Sequence, residues 1–171
     1  QRRQGQHIPD VVEAFANRLN LPADRDVTGA LPMPYQPVEA GEFAGWLYWA
    51  DDPFESHAGP YYFRADSQGP VAAFRALPHQ MNGGGFMHGG CLMTFADFAL
   101  FALVQKELEG DHAVTVSFSS EFLSGAETGD WVEARGEVLR NGRSLVFVRG
   151  LVTAEGRPCL NFSGTIKRVR R

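Results

Sequence analysis

Residues 82–108 read NGGGFMHGGCLMTFADFALFALVQKEL, and this stretch decides how the rest of the chain is read. Gly83, Gly84, Gly85, Gly89 and Gly90 crowd its first part, which marks a loop rather than a helix or strand interior. From Cys91 onward only Thr94, Asp97 and Gln105 interrupt an apolar run before the charged end at Lys106. A helix that is apolar all round has no wet face and belongs inside the fold. An ionised carboxylate halfway along such a helix costs free energy unless a partner or a polar cavity receives it. Asp97 is therefore either held in a structural network or part of a site, since both settings perturb a carboxylate.

The flanking sequence supplies strands. FAGWLYWA (43–50), PYYFRA (60–65) and VAAFRAL (71–77) are short, aromatic-rich or β-branched runs bounded by Gly, Pro, Asp or Ser, although the last is also compatible with a helix. After the helix come AVTVSFSSEFL (113–123), DWVEARGEVLR (130–140), SLVFVRGLVTA (144–154) and CLNFSGTIKRV (159–169). Asn141-Gly142 is the two-residue hairpin signal between two of them, and Glu155-Gly156 marks the next hairpin. Strands, one buried helix, then four antiparallel strands describe an α+β domain in which one sheet curls around one apolar helix. Upstream, Val12, Phe15, Ala16 and Leu19 are spaced for a helix over 9–19 with Asp10 as N-cap, and Pro22, Pro32, Pro34 and Pro37 follow. The expected division is a helical, proline-rich arm over 1–42 and one domain over 43–171.

Composition narrows the function classes. The chain has 171 residues, 44% hydrophobic and 21% charged, which suits one globular domain with a sizeable core. A formal net charge of -4 argues against a nucleic-acid binder. The basic residues that do cluster, Arg2, Arg3, Lys167, Arg168, Arg170 and Arg171, read as solvated ends. No run of 18 apolar residues and no apolar leader is present, so neither a membrane span nor an export signal is expected. Two cysteines, Cys91 and Cys159, are too few for a disulfide framework, and a cytoplasmic setting is the simplest expectation.

The loop-to-helix junction carries the chemistry. His88-Gly89-Gly90 stands where the free N–H groups and the dipole of a helix N-terminus favour negative charge, and glycine lets a ligand approach the backbone. A thioester carbonyl docked on the Gly89 N–H would be polarised, and the oxyanion formed on attack stabilised further. Asp97 then complements it as nucleophile or as the base that activates water. Cys91 also sits in the first helical turn, but no motif supports it, and core packing is its expected role. Gly83-Gly84-Gly85 lacks the Lys-Ser/Thr ending of a phosphate-binding loop. His7, His57, His79 and His112 show no metal-ligand spacing, and Phe86, Phe95, Phe98 and Phe101 are expected in the core, with one or two lining an acyl pocket.

Asn82, His88-Gly89-Gly90 and Asp97 resemble the motif of the hotdog acyl-CoA thioesterases of the phenylacetate-degradation (PaaI-like) type. That pattern is Asn, His-Gly-Gly six residues on, and Asp nine residues after the His. The resemblance extends through AVTVSFSSEFLSGAETGD and NGRSLVFVRG and covers about residues 43–170. It implies a hotdog fold that hydrolyses a fatty-acyl- or aryl-CoA, with no metal and no cofactor beyond the CoA of the substrate. Asp97 would be nucleophile or general base, Gly89 would polarise the thioester with support from His88, and Asn82 would orient water or thioester. Thr115 stands where relatives carry a hydroxyl that assists the water. The resemblance also implies a homodimer or dimer of dimers, with Asp97 and Thr115 facing Asn82, His88 and Gly89 of the second subunit. Arg143, Lys167 and Arg168 are candidates for the CoA phosphates. Two rival readings are a hotdog hydratase or dehydratase, whose loop signatures are missing, and a non-catalytic acyl-CoA-binding protein, which has no need of all three motif residues.

Overall fold

The computed structural model describes residues 35–108 and 111–169, so the expected helix over 9–19 and most of the proline-rich arm lie outside the described residues. Eight strands form one antiparallel sheet: β1 Tyr35–Pro37, β2 Leu47–Trp49, β3 Tyr62–Asp66, β4 Gly69–Arg75, β5 Ala113–Phe122, β6 Trp131–Asn141, β7 Leu145–Ala154 and β8 Arg157–Arg168. Their order across the sheet is β1-β2-β3-β4-β6-β7-β8-β5. The helix α1 spans Pro53–Ala58, the long helix α2 spans Gly89–Leu103, and a single turn, α3, covers Gln105–Leu108. The sheet wraps α2, the hotdog arrangement that the resemblance implies. Among the described residues no helix is long and apolar enough to cross a membrane.

The sequence expects α2 to be buried, and Leu92, Phe95, Ala96, Phe98, Ala99, Leu100, Ala102 and Leu103 are. Phe74, Phe95, Phe98 and Tyr61 make the aromatic heart of the core, with ring centroids 4.6 Å apart for Phe74–Phe95 and 5.4 Å for Tyr61–Phe98. Strand β4 explains why VAAFRAL was ambiguous. Its Ala72 and Phe74 face the main core, while Val71 and Ala73 join Phe43 and Trp46 in a second cluster. A strand buried on both faces loses its polar alternation and reads as a continuous apolar run.

The hairpin between β6 and β7 corrects one expectation. Asn141 is the last residue of β6, and the turn is closed by the Gly142 N–H donating to the Leu145 carbonyl at 2.9 Å. Neither Asn141 nor Gly142 has the positive φ that a two-residue Asn-Gly turn requires. The β7–β8 hairpin does take that form, with Glu155 at φ 48° and Gly156 at φ 78° between Ala154 and Arg157. The two-residue turn requires the left-handed φ of Glu155, whose carboxylate also accepts the Trp131 N–H at 2.7 Å.

Glycines set how closely α2 lies on the sheet. A Cβ on Gly136 would overlap the Arg149 carbonyl oxygen and come within 2.9 Å of both Gly150 Cα and Leu103 Cδ1. One on Gly164 would overlap Leu100. Because backbone cannot step aside, Gly136→Ala is expected to lower stability by about 1–3 kcal/mol, the usual cost of overpacking. Urea denaturation at constant pH checks this, and an unchanged midpoint would contradict it.

Candidate active site

Two side chains that the sequence singles out separately meet in the fold. The Thr115 hydroxyl of β5 donates to Asp97 Oδ1 at 2.7 Å. A β-bulge between Thr115 and Ser117 aims β5 at the helix here, because Thr115 pairs with Ile166 while Ser117 already pairs with Thr165. The extra residue, Val116, resets the alternation so that Thr115 and Phe118 both turn toward α2. Asp97 is half-buried, on a stripe of α2 (Gly90, Met93, Thr94, Asp97, Phe101) that is less covered than the rest of the helix.

The glycine loop is built as a platform. Asn82 Oδ1 accepts the Gly84 N–H at 2.8 Å and the Phe86 N–H at 3.3 Å, which folds the loop back on itself. The Asn82 N–H donates to the Phe86 carbonyl, and the Met87 N–H to the Ala126 carbonyl. His88 caps α2, its Nδ1 accepting the Gly90 N–H at 2.9 Å. A neutral His88 in that bond carries its proton on Nε2. Among the described residues, no bond uses the Gly89 N–H, so this donor at the positive end of the helix is left for a ligand.

Within one chain, however, the two halves are apart. Asp97 lies eight steps along the helix from Gly89, a rise of about 12 Å. The structure brings together Asp97 and Thr115 at mid-helix and Asn82, His88 and Gly89 at its start, but not the two groups with each other. Strand β5, which carries Thr115, ends the sheet, and among the described residues no strand lies beside its outer edge. Val114 and Val116 on that strand are exposed.

Asp97 opens on a cleft. One cavity of about 400 Å³ is lined by Asp52, Phe54, Glu55, Met93, Thr94, Asp97, Phe98 and Phe118. A second, of about 980 Å³, shares Asp52, Glu55 and Asp97 and runs on between α2 and β1–β4, past Trp49, Phe63 and Phe101. Glu55 is a residue that the sequence reading passed over, together with the whole of α1. The signal was present: Asp52 is the N-cap, Pro53 opens the helix, and the Glu55 N–H donates to Asp52 Oδ1 at 2.8 Å. Burial in the cleft, reinforced by the charges of Asp52 and Asp97, pushes the Glu55 carboxyl up to about 8 from its ordinary 4.5. A carboxyl whose pKa is higher folded than unfolded favours the fold only while protonated, so stability falls as pH rises from about 4.5 through about 8. The melting temperature of the wild type is expected to drop between pH 5 and pH 8.5, and that of Glu55→Gln to drop less. Parallel curves for the two proteins would contradict the assignment.

The remaining candidates separate cleanly. Cys91 lies 3.5 Å from the Tyr61 hydroxyl, and burial pushes its thiol above the ordinary range, which suits packing rather than nucleophilic attack. Arg168, a candidate for the CoA phosphates, is engaged within the chain. Its guanidinium donates to the carbonyls of Gly142 and Glu107 and to Asn141 Oδ1, and pairs with Asp111 at 3.2 Å. It ties the β6–β7 turn to the end of α3, and these contacts engage four of its five N–H groups. Arg143 and Lys167 are exposed. Lys167 is paired with Val114 on β5, one step from the Thr115–Ile166 pair, so it points to the opposite face of the sheet from Thr115.

Known proteins resemble this chain in sequence and in fold. Residues 84–160 match the profile of the thioesterase superfamily. A Pseudomonas aeruginosa protein named as a candidate esterase is 32% identical over 108 residues, which is 62% of this chain and 81% of that one. Among solved structures, a mutant of the phenylacetic acid degradation protein PaaI from Thermus thermophilus superposes with a TM-score of 0.59 at 27% identity, covering 69% of this chain and all of that one. A hypothetical thioesterase from Streptococcus pneumoniae, solved with coenzyme A, gives a TM-score of 0.60 at 24% identity over 68% of this chain and 91% of that one.

Proposed function

The chain belongs to the thioesterase superfamily, and from that premise we propose that it hydrolyses acyl-CoA thioesters at an active site assembled as follows. Asp97 and Thr115 of one subunit act on a thioester held by Asn82, His88 and Gly89 of a second subunit. The bond from Thr115 to Asp97 carries this reading, because it arms a carboxylate in the cleft while leaving the carbonyl-binding donors about 12 Å away in the same chain. A two-fold partner pairing along the free edge of β5 would bring the missing half into reach, and an open edge with exposed Val114 and Val116 favours being paired.

The chemistry follows from the groups present. The unused Gly89 N–H binds the thioester oxygen and gains strength as negative charge develops on it. Thr115 fixes Asp97 through Oδ1, and the other carboxylate oxygen is left to take a proton from an attacking water. Asp97 is thus read as a general base, and the Thr115 oxygen is placed to help hold that water. The acyl group, aliphatic or aryl, extends into the larger cavity, where Trp49, Phe63 and Phe101 supply an apolar lining. Arg143 and Lys167 are retained as candidate contacts for the CoA phosphates. The neighbour solved with coenzyme A supports CoA as the thiol carrier.

Thiol release from a panel of acyl-CoA esters, read with a thiol-reactive dye, tests the reading. Release well above the spontaneous rate for at least one acyl class is expected. A folded protein that releases no thiol from any aliphatic or aromatic ester would overturn it.

A further inference from the structure

We propose that Glu55 is a second catalytic carboxyl, the acid that protonates the departing thiol while Asp97 serves the attacking water. The proposal rests on the hydrolytic reading above. Its basis is the shape of the cleft: Glu55 from α1 and Asp97 from α2 line the same cavity of about 400 Å³. The thioester sulfur is one covalent bond from the carbonyl carbon. A substrate whose carbon lies within reach of a water on Asp97 therefore brings its sulfur into that small space as well. Phe54, Met93, Phe98 and Phe118 wall the cavity with apolar surface, which disfavours a bare thiolate as a leaving group.

Glu55 is suited to the part. Among the described residues no hydrogen bond or ion pair engages its carboxyl, whereas the Asp52 carboxylate next to it is occupied by capping α1. The groups around it are Asp52 before its own helix, Asp97 from α2 and the Tyr61 hydroxyl from the segment that follows. Arg64 and Lys106 line the larger cavity that it also borders. Burial and the neighbouring negative charges hold its proton up to about pH 8, so it enters the reaction as an acid. Two carboxyls lining one cleft can divide the work of acid and base between them.

The protons balance. Asp97 removes a proton from water as the C–O bond forms and the thioester oxygen becomes an oxyanion. Collapse of that intermediate breaks the C–S bond, and the electron pair on sulfur takes the proton of Glu55, giving free thiol and carboxylic acid. Asp97 then returns its proton to Glu55, directly or through water, and the product acid ionises in solvent. Both side chains end as they began, and no further reactant is needed.

The test varies the leaving group. Wild type, Glu55→Gln and Asp97→Asn are assayed on two esters of one acyl group: a CoA ester, whose more basic thiolate gains from a proton as it leaves, and a 4-nitrothiophenyl ester, whose weakly basic thiolate leaves unaided. Each variant is compared with wild type on the same ester, so a difference in binding between esters cancels. Glu55→Gln is expected to lower kcat/KM on the CoA ester by about 10²-fold, the scale of one positioned acid, and to change the aryl thioester only a few-fold. Asp97→Asn should impair both. In the wild type, kcat/KM on the CoA ester should fall above about pH 8, and that limb should be missing for the aryl thioester. This comparison needs no variant and carries the test even if Glu55→Gln does not fold. Equal losses on both esters, or no loss on the CoA ester, overturn the proposal while leaving the hydrolase reading intact. No turnover of either ester by wild type removes the hydrolase reading itself, and the proposal with it.

Discussion

Asp97→Asn is expected to lower thioester hydrolysis by about 10²–10⁴-fold, the scale of a positioned acid–base group, without loss of the fold. The amide has the shape of the carboxylate, and its oxygen can still accept the Thr115 hydroxyl that now lies 2.7 Å from Oδ1. What it cannot do is take a proton from water. Asp97 is half-buried on a helix whose neighbours Ala96, Phe98 and Ala99 are fully covered, so removing its charge does not cost packing. Steady-state kinetics beside a thermal melt separate the two effects: turnover collapses and the melting temperature holds. Near-native turnover in Asp97→Asn would remove this residue from the chemistry.

The second large effect is a recovery. Asp97→Ala and Asn82→Ala are each expected to be nearly inactive, the first through loss of the base and the second through collapse of the loop that Asn82 Oδ1 closes onto Gly84 and Phe86. Co-refolded in equal amounts, random pairing makes about half of all dimers mixed, as two-fold contacts allow. If the site is shared, a mixed dimer concentrates both lesions in one site and leaves the other whole. Activity then returns to about a quarter of wild type per subunit, because half the dimers carry one sound site of two. If each site lies within one chain, every site keeps a lesion. Activity no greater than the sum of the two mutants, with mixed dimers confirmed by mass, would rule out the shared site.

Much of this architecture was legible because strong local signals agree with the global fold. The fully apolar helix and the four long strands after it survive in the structure as read. The misses have physical causes. Asn141-Gly142 looked like the tight turn, yet Asn141 stays in β6, where its side chain accepts from Arg168, and the tight turn went to Glu155-Gly156. Helix α1 escaped because six residues show no periodicity, although Asp52, Pro53 and Glu55 spell a capped start. Glu55 escaped with it, since only the fold brings that carboxyl to the cleft of Asp97. The bulge at Val116 breaks the strict alternation of β5, and it is the bulge that lets Thr115 and Phe118 face the same way. Arg168 shows what only the fold reveals about a charged residue. A basic residue near a chain end looked available, and the fold had already engaged it.

The glycines under the long helix reach further than stability. Leu100 rests where Gly164 has no side chain, and Leu103 rests on Gly136, so α2 sinks toward β6–β8. On its other side, Phe101 and Ala102 border the larger cavity of the cleft. The depth of that pocket is therefore set partly from behind, by atoms that no substrate touches. A lineage could narrow its acyl range by adding a methyl group beneath the helix, shifting Phe101 into the cavity while every residue lining it stays the same. Selectivity in this fold need not be written in the pocket wall, and alignments of lining residues alone would miss such a change.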